Sequence, residues 1–320
     1  MPSRPENPEI AVVGAGVIGL SSALRLLQAG RNVVIYAREE SPRTTSDVAA
    51  AFWLPYKVAA DARVRAWALR TRDTYRAMKR QNIPGVSFVP LTTLADRESD
   101  LAAYDEWSAD RSLLSSGELP AGVRAGRRFS TALIDTPRYM PWLRAEVARQ
   151  GARVVVREIK RLDELTALHS IVINCTGVGA KDVAPDPAVF PIQGQVVRVR
   201  RPVSCESGIF FHERGETSTY IVIRQDDCIL GGTAVKDAWE TAPDPAVAAA
   251  ILARCVTLLP ELAGAEVLGH RVGLRPGREP LRLEREPSSS ANVIIHNYGH
   301  GGSGFTLAWA CADEVVRLVE

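Results

Sequence analysis

Two short apolar runs, Ile10–Val13 (IAVV) and Asn32–Ala37 (NVVIYA), enclose a stretch in which Leu20, Ala23, Leu24 and Leu27 recur at helical spacing. Continuous apolar runs suit buried parallel strands, and the spacing between them suits an amphipathic helix. Gly30 closes that helix. Downstream, Ala59–Lys79 places Val64, Trp67, Ala68, Thr71, Tyr75 and Met78 on one helical face, which predicts core. Ser87–Leu94 reads as a strand. Ala95–Phe129 is irregular and charged and is expected at the surface, its AGRRF cluster (Ala125–Phe129) as a solvated loop. Asp135-Thr136-Pro137 opens a helix through Gln150, with Pro in the first turn and Gly151 at the end. Val154–Ile159 and Ile171–Asn174 read as buried strands. Val189–Cys228 is strand-rich, and Cys228–Thr233 (CILGGT) runs a further strand into a glycine pair. Asp244–Leu262 predicts a helix, and Val267–Pro276 and Asn292–Ile295 predict strands.

The first helix opens on GAGVIG, Gly14–Gly19, a GxGxxG with a strand before it, a helix after it and a second strand beyond. In that setting Gly14 permits the tight turn, Gly16 lets backbone approach a pyrophosphate, and Gly19 lets helix and strand pack closely. The helix N-terminus supplies N–H groups and a positive dipole end. The chain therefore reads as α/β. A Rossmann-like dinucleotide-binding domain of separated segments (1–56, 131–185 and 267–320) is joined to a β-rich, α+β domain (57–130 and 186–266). The motif alone does not choose between NAD and FAD. The acid expected near the end of the second strand is displaced: Ala37 and Arg38 come first, with Glu39 and Glu40 behind. Arg38 is a candidate for the adenine or phosphates and Glu39 for the ribose.

Composition narrows the classes. The chain has 320 residues, is 46% hydrophobic and 24% charged, and carries a formal net charge of +2. No basic excess argues for nucleic acid. The opening MPSRPENPE lacks an apolar signal core, and no apolar run approaches the ~20 residues a membrane span needs. A cytoplasmic protein is expected. The five cysteines are widely spaced and form no CxxC pair, so no zinc site is expected.

Three further stretches carry candidate chemistry. Arg43–Tyr56 sets Thr44, Thr45 and Ser46 before Asp47, then Ala49, Ala50 and Ala51, then Phe52, Trp53 and Leu54. Short hydroxyls and small side chains suit a phosphate or a ring edge, and they suit an Asp- or Ser-capped turn equally. Asn174–Val178 (NCTGV) ends a strand on Thr176-Gly177, where ligands of doubly wound folds lie. HNYGHGGSGFT, His296–Thr306, reads as a second strand-to-helix turn. His296 and His300 precede the helix, so the helical i, i+4 ligand geometry does not apply, and structural hydrogen bonds within the turn are expected in place of a metal.

Taken in order, GAGVIGLS, TTSDVAAAFW, NCTGV, YI with ILGGT, GLRPGREPLRLERE and HNYGHGGSGFT resemble the motifs of the D-amino-acid oxidase family, and they run from end to end of the chain. The resemblance implies FAD as cofactor and a D-amino acid and O2 as partners, without nucleic acid or membrane, and it is compatible with a homodimer. It implies hydride transfer from the Cα of a D-amino acid to flavin, then reoxidation by O2 to hydrogen peroxide. Hydrolysis of the imino acid gives a 2-oxo acid and ammonia. The cofactor contacts it implies are Gly14, Ala15, Gly16, Val17, Ile18 and Gly19 in the first turn, then Ala37, Arg38 and Glu39. They continue with Thr44, Thr45, Ser46, Ala50, Ala51 and Phe52, with Ile159, Thr176 and Gly177, and with Arg275, His300, Gly301, Gly302, Ser303, Gly304, Phe305 and Thr306.

For the substrate the resemblance implies Arg275 at the carboxylate, Tyr220 through its hydroxyl and Gly302 through its carbonyl, with Phe52 and Leu54 in the pocket. A planar guanidinium suits a carboxylate bidentately. No side chain is expected as general acid or base, because the flavin carries the chemistry. Family members often carry a second pocket tyrosine four residues before the first, in a mobile lid. Glu216 stands there, in RGETSTY, so a lid is absent or shortened. Neutral substrates are expected. The competing readings are a flavin oxidase for glycine or acidic D-amino acids, with Arg214 and Arg224 greeting a second carboxylate, and an NAD-binding dehydrogenase or redox-sensing binding protein.

Overall fold

The computed structural model describes residues 8–58, 61–107, 110–214, 217–287 and 292–320. Its strands are β1 (Ile10–Val13), β2 (Val33–Ala37), β3 (Val86–Ala95), β4 (Ser112–Leu113), β5 (Ala125–Ile134), β6 (Arg153–Val156) and β7 (Ile171–Asn174), then β8 (Phe190–Arg200), β9 (Gly208–Arg214), β10 (Thr217–Ile223), β11 (Asp227–Gly231), β12 (Val235–Lys236), β13 (Val267–Arg285) and β14 (Val293–His300). Its helices are α1 (Val17–Gln28), α2 (Thr45–Val48), α3 (Ala62–Arg80), α4 (Thr136–Arg149), α5 (Asp163–Thr166), α6 (Ala180–Val183), α7 (Pro245–Leu258) and α8 (Gly304–Val319). The chain divides into two compact units. Unit 1 holds Met1–Gly85, Thr136–Pro191 and Arg275–Glu320, and unit 2 holds Val86–Asp135 and Ile192–Leu274.

In unit 1 the strands β14, β7, β1, β2 and β6 lie side by side and parallel, and β13 pairs antiparallel with β14. The chain leaves β1 toward β2 on one side and meets β7 on the other. The carboxyl ends of β1 and β7 thus lie together at a topological switch point. The apolar runs became strands because they are covered. Ala11, Val13, Val34, Tyr36, Ile159, Leu162, Leu165 and Val172 form one core cluster. Helix α1 packs on α8, and the Ser21 hydroxyl reaches the Ala308 carbonyl at 3.3 Å. Helix α3 also joins this unit, although the sequence pattern grouped 57–130 with the second domain. Its predicted stripe is buried, and two of its members bond to α8: Tyr75 donates to the Phe305 carbonyl at 2.9 Å, and Thr71 Oγ1 accepts from the Ala310 N–H at 3.0 Å. Periodicity predicts that a stripe is buried, but the partner that buries it is a tertiary matter.

Unit 2 orders its strands β4-β5-β3-β9-β10-β11-β8, with β3 and β9 parallel and the other pairs antiparallel. Helix α7 covers it, capped by Asp244, whose carboxylate accepts from the Ala246 and Val247 N–H groups at 2.7 and 3.3 Å. Val197, Val199, Ile221, Leu230 and Ile251 lie in the core between α7 and the strands.

Three local expectations are corrected. The AGRRF loop is the start of strand β5, paired in register with β3 from Val86↔Ile134 to Ala95↔Ala125. Its arginines obscured the alternation, and its partner lies more than thirty residues away. The Val154–Ile159 strand ends at Val156 and is not buried: β6 pairs only with β2, so Val156 stays 63% exposed. The last strand does not stop at Ile295. β14 runs on through His300, so both histidines are strand residues and the turn shrinks to Gly301–Ser303. Antiparallel pairing with β13 holds that extension as far as Gly277↔His300, while the parallel pairing with β7 ends at His296↔Asn174.

Candidate active site

The first turn of unit 1 is closed by contact with its own fold. Gly14 has φ +112°, and a Cβ there would stand 2.4 Å from the Cys175 carbonyl oxygen. A Cβ on Gly19 would stand 1.9 Å from the Gly14 carbonyl oxygen. Ala15 and Val17 are buried and Gly16 and Ile18 half-buried. No side chain of Gly16 can cap α1, and the first turn has no acid. Its one hydroxyl partner is Ser46, whose Oγ accepts from the Val17 N–H at 2.9 Å. The remaining positive end of α1 suits a phosphate.

Ser46 reaches that position because Asp47 folds its loop. The buried Asp47 carboxylate accepts from the Ser41 and Thr44 hydroxyls, both at 2.6 Å, and from the Thr44 N–H at 3.0 Å. The turn is capped by neither an Asp nor a Ser: Thr44 is the N-cap, and Asp47 is the N3 member of a capping box that engages the Thr44 hydroxyl. Thr45 is exposed, Ala50 and Ala51 are buried, and Ala51 adopts φ +52°. At the end of β2, Ala37 is buried, while Arg38 and Glu39 are exposed and Arg38 lies 3.7 Å from Glu158. Ile159 is buried in the core cluster with Tyr36.

The second turn packs against residues 54–57. A Cβ on Gly301 (φ +55°) would stand 1.8 Å from the Lys57 carbonyl oxygen, and one on Gly302 would stand 2.6 Å from the Tyr56 ring. Ser303 Oγ accepts from the Tyr56 N–H at 2.7 Å and donates to the Tyr56 carbonyl at 2.9 Å. Thr306 Oγ1 donates to the Leu54 carbonyl at 3.0 Å and accepts from its N–H at 3.3 Å. Leu54 is buried and Phe52 half-buried. Gly304 is not crowded, its virtual Cβ meeting only Val17 at 3.7 Å. Helix α8 starts without a side-chain cap and without an acid in its first turn. Its positive end suits developing negative charge.

His300 ends β14 fully buried. Its Nε2 has no hydrogen-bond partner among the described residues, and burial pushes the imidazole down to about 4. His296 is bonded to Glu286 at 3.1 Å. Among the described residues no group of three or more His, Cys, Asp or Glu could hold a metal. Thr176 and Gly177 follow β7, half-buried, with Gly177 at φ +60°. Arg275 is a half-buried residue of β13, ahead of the irregular register between Gly277 and Arg282. In unit 2, Tyr220 lies opposite Gly231 across β10 and β11, and its ring lies where a Cβ on Gly231 would be, 2.1 Å away. Glu216 lies outside the described residues.

A family model described as FAD dependent oxidoreductase matches residues 9–318. The chain is 43% identical over 311 residues to a D-amino-acid oxidase of Rubrobacter xylanophilus, covering 96% of this chain and 94% of that one. This chain belongs to the D-amino-acid oxidase family of FAD-dependent oxidoreductases. The NAD-dehydrogenase and binding-protein readings are thereby set aside. The oxidase is also 32% identical to a D-aspartate oxidase of Homo sapiens, over 98% of its own length and 95% of the relative's. Its fold matches a glycine oxidase from Geobacillus kaustophilus at a TM-score of 0.84 and 22% identity, with 98% and 95% of the two chains covered. No helix among the described residues is long and apolar enough to cross a membrane.

The oxidase's residues fit FAD on their own geometry. Gly14 and Gly19 admit a turn that no side chain could enter, the positive ends of α1 and α8 carry no acid, and a buried imidazole nitrogen stands unpartnered. Sequence reasoning did not see the latch of Ser303 and Thr306 on residues 54–56. Those partners are some 250 residues apart, beyond any periodic signal. It also did not see Asn174, treated below.

Proposed function

We propose that this enzyme oxidises neutral D-amino acids, with unit 1 as its FAD-binding domain and unit 2 as its substrate domain. FAD, when bound, supplies the two-electron oxidation of the substrate and the reaction with O2 that yields hydrogen peroxide. The residues around it bind and orient. The turns at Gly14–Gly19 and Thr176-Gly177 hold the nucleotide, and the α8 end stabilises charge on the ring. Arg275 takes the substrate carboxylate, a positioning role. Tyr220 offers its hydroxyl and Gly302 its carbonyl, following the family resemblance, and no side chain serves as general base. The substrate amine must therefore be neutral to react, so turnover rises with pH as it deprotonates. Five free, buried cysteines support a cytoplasmic setting.

The observation that carries the neutral preference lies in unit 2. The two cations that flank Tyr220 in sequence are already ion-paired. Arg214 Nε donates to Asp96 at 2.8 Å. The buried Arg224 is held bidentately by Asp227, at 2.7 and 2.8 Å. At Arg224 a second substrate carboxylate would have to displace Asp227 from a buried pair, which costs about 3–5 kcal/mol.

The test is peroxide production by the holoenzyme over a panel of D-alanine, D-methionine, D-valine and D-aspartate. Turnover of D-aspartate well above the neutral three would overturn the preference. Arg275→Ala is expected to keep the flavin absorption bands and to lose about a hundredfold in kcat/KM, since a buried carboxylate is left without its partner. Unchanged kcat/KM would remove Arg275 from the site.

A further inference from the structure

The turn after β7 is held by an amide whose orientation is not free. The Thr176 N–H and hydroxyl both donate to Asn174 Oδ1, at 3.2 and 2.7 Å. With the oxygen facing Thr176, Asn174 Nδ2 faces away, 3.3 Å from His296 Nδ1. An amide nitrogen only donates, so His296 Nδ1 is bare and accepts, and its proton sits on Nε2. That Nε2–H donates to Glu286 Oε2 at 3.1 Å. Asn174 is fully buried and His296 is 1% exposed, whereas the Glu286 side chain is 42% exposed. A single hydrogen-bonded line thus runs from the surface carboxylate to the turn.

We propose that Asn174 and His296 are positioning residues for the FAD-binding turn, and that protonation of His296 releases it. The proposal rests on Thr176 being a cofactor contact. A proton on Nδ1 would confront the amide N–H. The amide would have to flip to accept from it, and would then present Nδ2 to the Thr176 N–H, which can only donate. Thr176 would lose its acceptor, and Gly177 the turn that fixes its positive φ.

The groups around His296 set where this happens. On β13 Glu284 lies directly opposite, with Arg282 before it and Glu286 just past the strand's end; on β14 the Tyr298 ring stands edge-on at 5.5 Å; on β7 Asn174 is the register partner. Burial first, then Arg282, lowers the imidazole pKa, against the opposing pull of Glu286 and Glu284. The folded pKa lies below the ordinary histidine value. The lock is therefore fully engaged above that value and is lost as pH falls through the lowered one.

The experiment measures the FAD dissociation constant of the apoprotein by flavin fluorescence from pH 8 to pH 5, with His296 followed by imidazole NMR. Wild type is expected to bind FAD about tenfold more weakly once His296 is protonated, the equivalent of one lost hydrogen bond. Neutral His296 should show the Nε2–H tautomer. Asn174→Asp places an acceptor toward both Thr176 and Nδ1–H, so it should raise the His296 pKa and retain FAD at pH 5. An Nδ1–H tautomer in the wild type, or the wild-type acid loss persisting in Asn174→Asp, would overturn the proposal. Thr176→Val separates it from the reading beneath it. If that variant binds FAD as wild type does, Thr176 is no cofactor contact and the proposal falls with that reading. If it binds FAD weakly at both pH values while Asn174→Asp still shows the wild-type acid loss, only the lock is refuted.

Discussion

Gly14 and Gly301 each open a strand-to-helix turn of unit 1 with positive φ, yet different parts of the chain confine them. Gly14 is pressed by Cys175 at the end of the neighbouring strand β7, and Gly19 is pressed by Gly14 itself. The first turn is rigid because its own helix and the end of the neighbouring strand β7 close on it. Gly301 and Gly302 are pressed by Lys57 and Tyr56; Ser303 holds Tyr56, and Thr306 holds the neighbouring Leu54. The second turn and the 54–57 segment fix each other. Similar glycine patterns therefore serve two purposes. In the first turn they close a local motif around the positive end of α1. In the second they allow a distant segment to pass over the start of α8.

The sharpest tests of that contrast are Gly19→Ala and Gly301→Ala. Each puts a Cβ within 2 Å of a backbone oxygen, so backbone must move, and a loss of about 3 kcal/mol or more in denaturant unfolding is expected. Gly301→Ala should also expose the amides of 54–57 to hydrogen exchange, and Gly19→Ala should leave them protected. Equal loss of protection in both variants would show that the two turns are not independent.

Acid separates the turns next, because the second follows His300, whose buried Nε2 has no hydrogen-bond partner among the described residues. His300 falls from the ordinary 6.5 to about 4 on burial. Its folded pKa is below its unfolded one, so the contribution is fully present above about 6.5 and is lost as pH falls toward 4. The slope reaches up to ~1.4 kcal/mol per pH unit. His300→Gln should flatten unfolding free energy across that window, and an unchanged slope would deny the histidine this role.

Smaller effects follow from single hydrogen bonds. Thr306→Val removes both bonds to Leu54 and should cost about 1–2 kcal/mol, with raised exchange at 54–56. Ser46→Ala removes the acceptor for Val17 and should cost about 1 kcal/mol. Gly304→Ala meets only an ordinary contact with Val17 and is expected to change stability by less than about 0.5 kcal/mol. A large loss there would mean that the start of α8 is as confined as Gly301.

Much of the fold was legible in the chain. The β1–α1–β2 unit, α4, β7, α7 and the strand-rich run from Val189 follow from local periodicity and from glycine, proline and aspartate at element ends, which act within a few residues. The glycine turn of Gly14–Gly19 was legible for the same reason. Strand β5 was not, because Arg127 and Arg128 interrupt its apolar pattern and its pairing with β3 is non-local. The end of β14 was misplaced because glycine and histidine weaken strand propensity, while antiparallel pairing with β13 holds the strand through His300. The partner of Arg214 was hidden, since Asp96 lies 118 residues away in the chain, whereas Arg224 pairs with Asp227 only three residues on.

The order of residues alone thus determined most element types, the nucleotide turn and, through the succession of motifs, the FAD-dependent family. Those features depend on backbone freedom and side-chain spacing over short stretches. The fold in three dimensions decided which cations in unit 2 were already paired and which segment the last glycines admit. It also decided that His296 and His300 are strand residues, one bonded to Asn174 and the other with an Nε2 that meets no partner among the described residues. Apart from the local Arg224–Asp227 pair, those outcomes depend on groups far apart in the chain being brought together, where burial strengthens a bond and makes an unmet one costly.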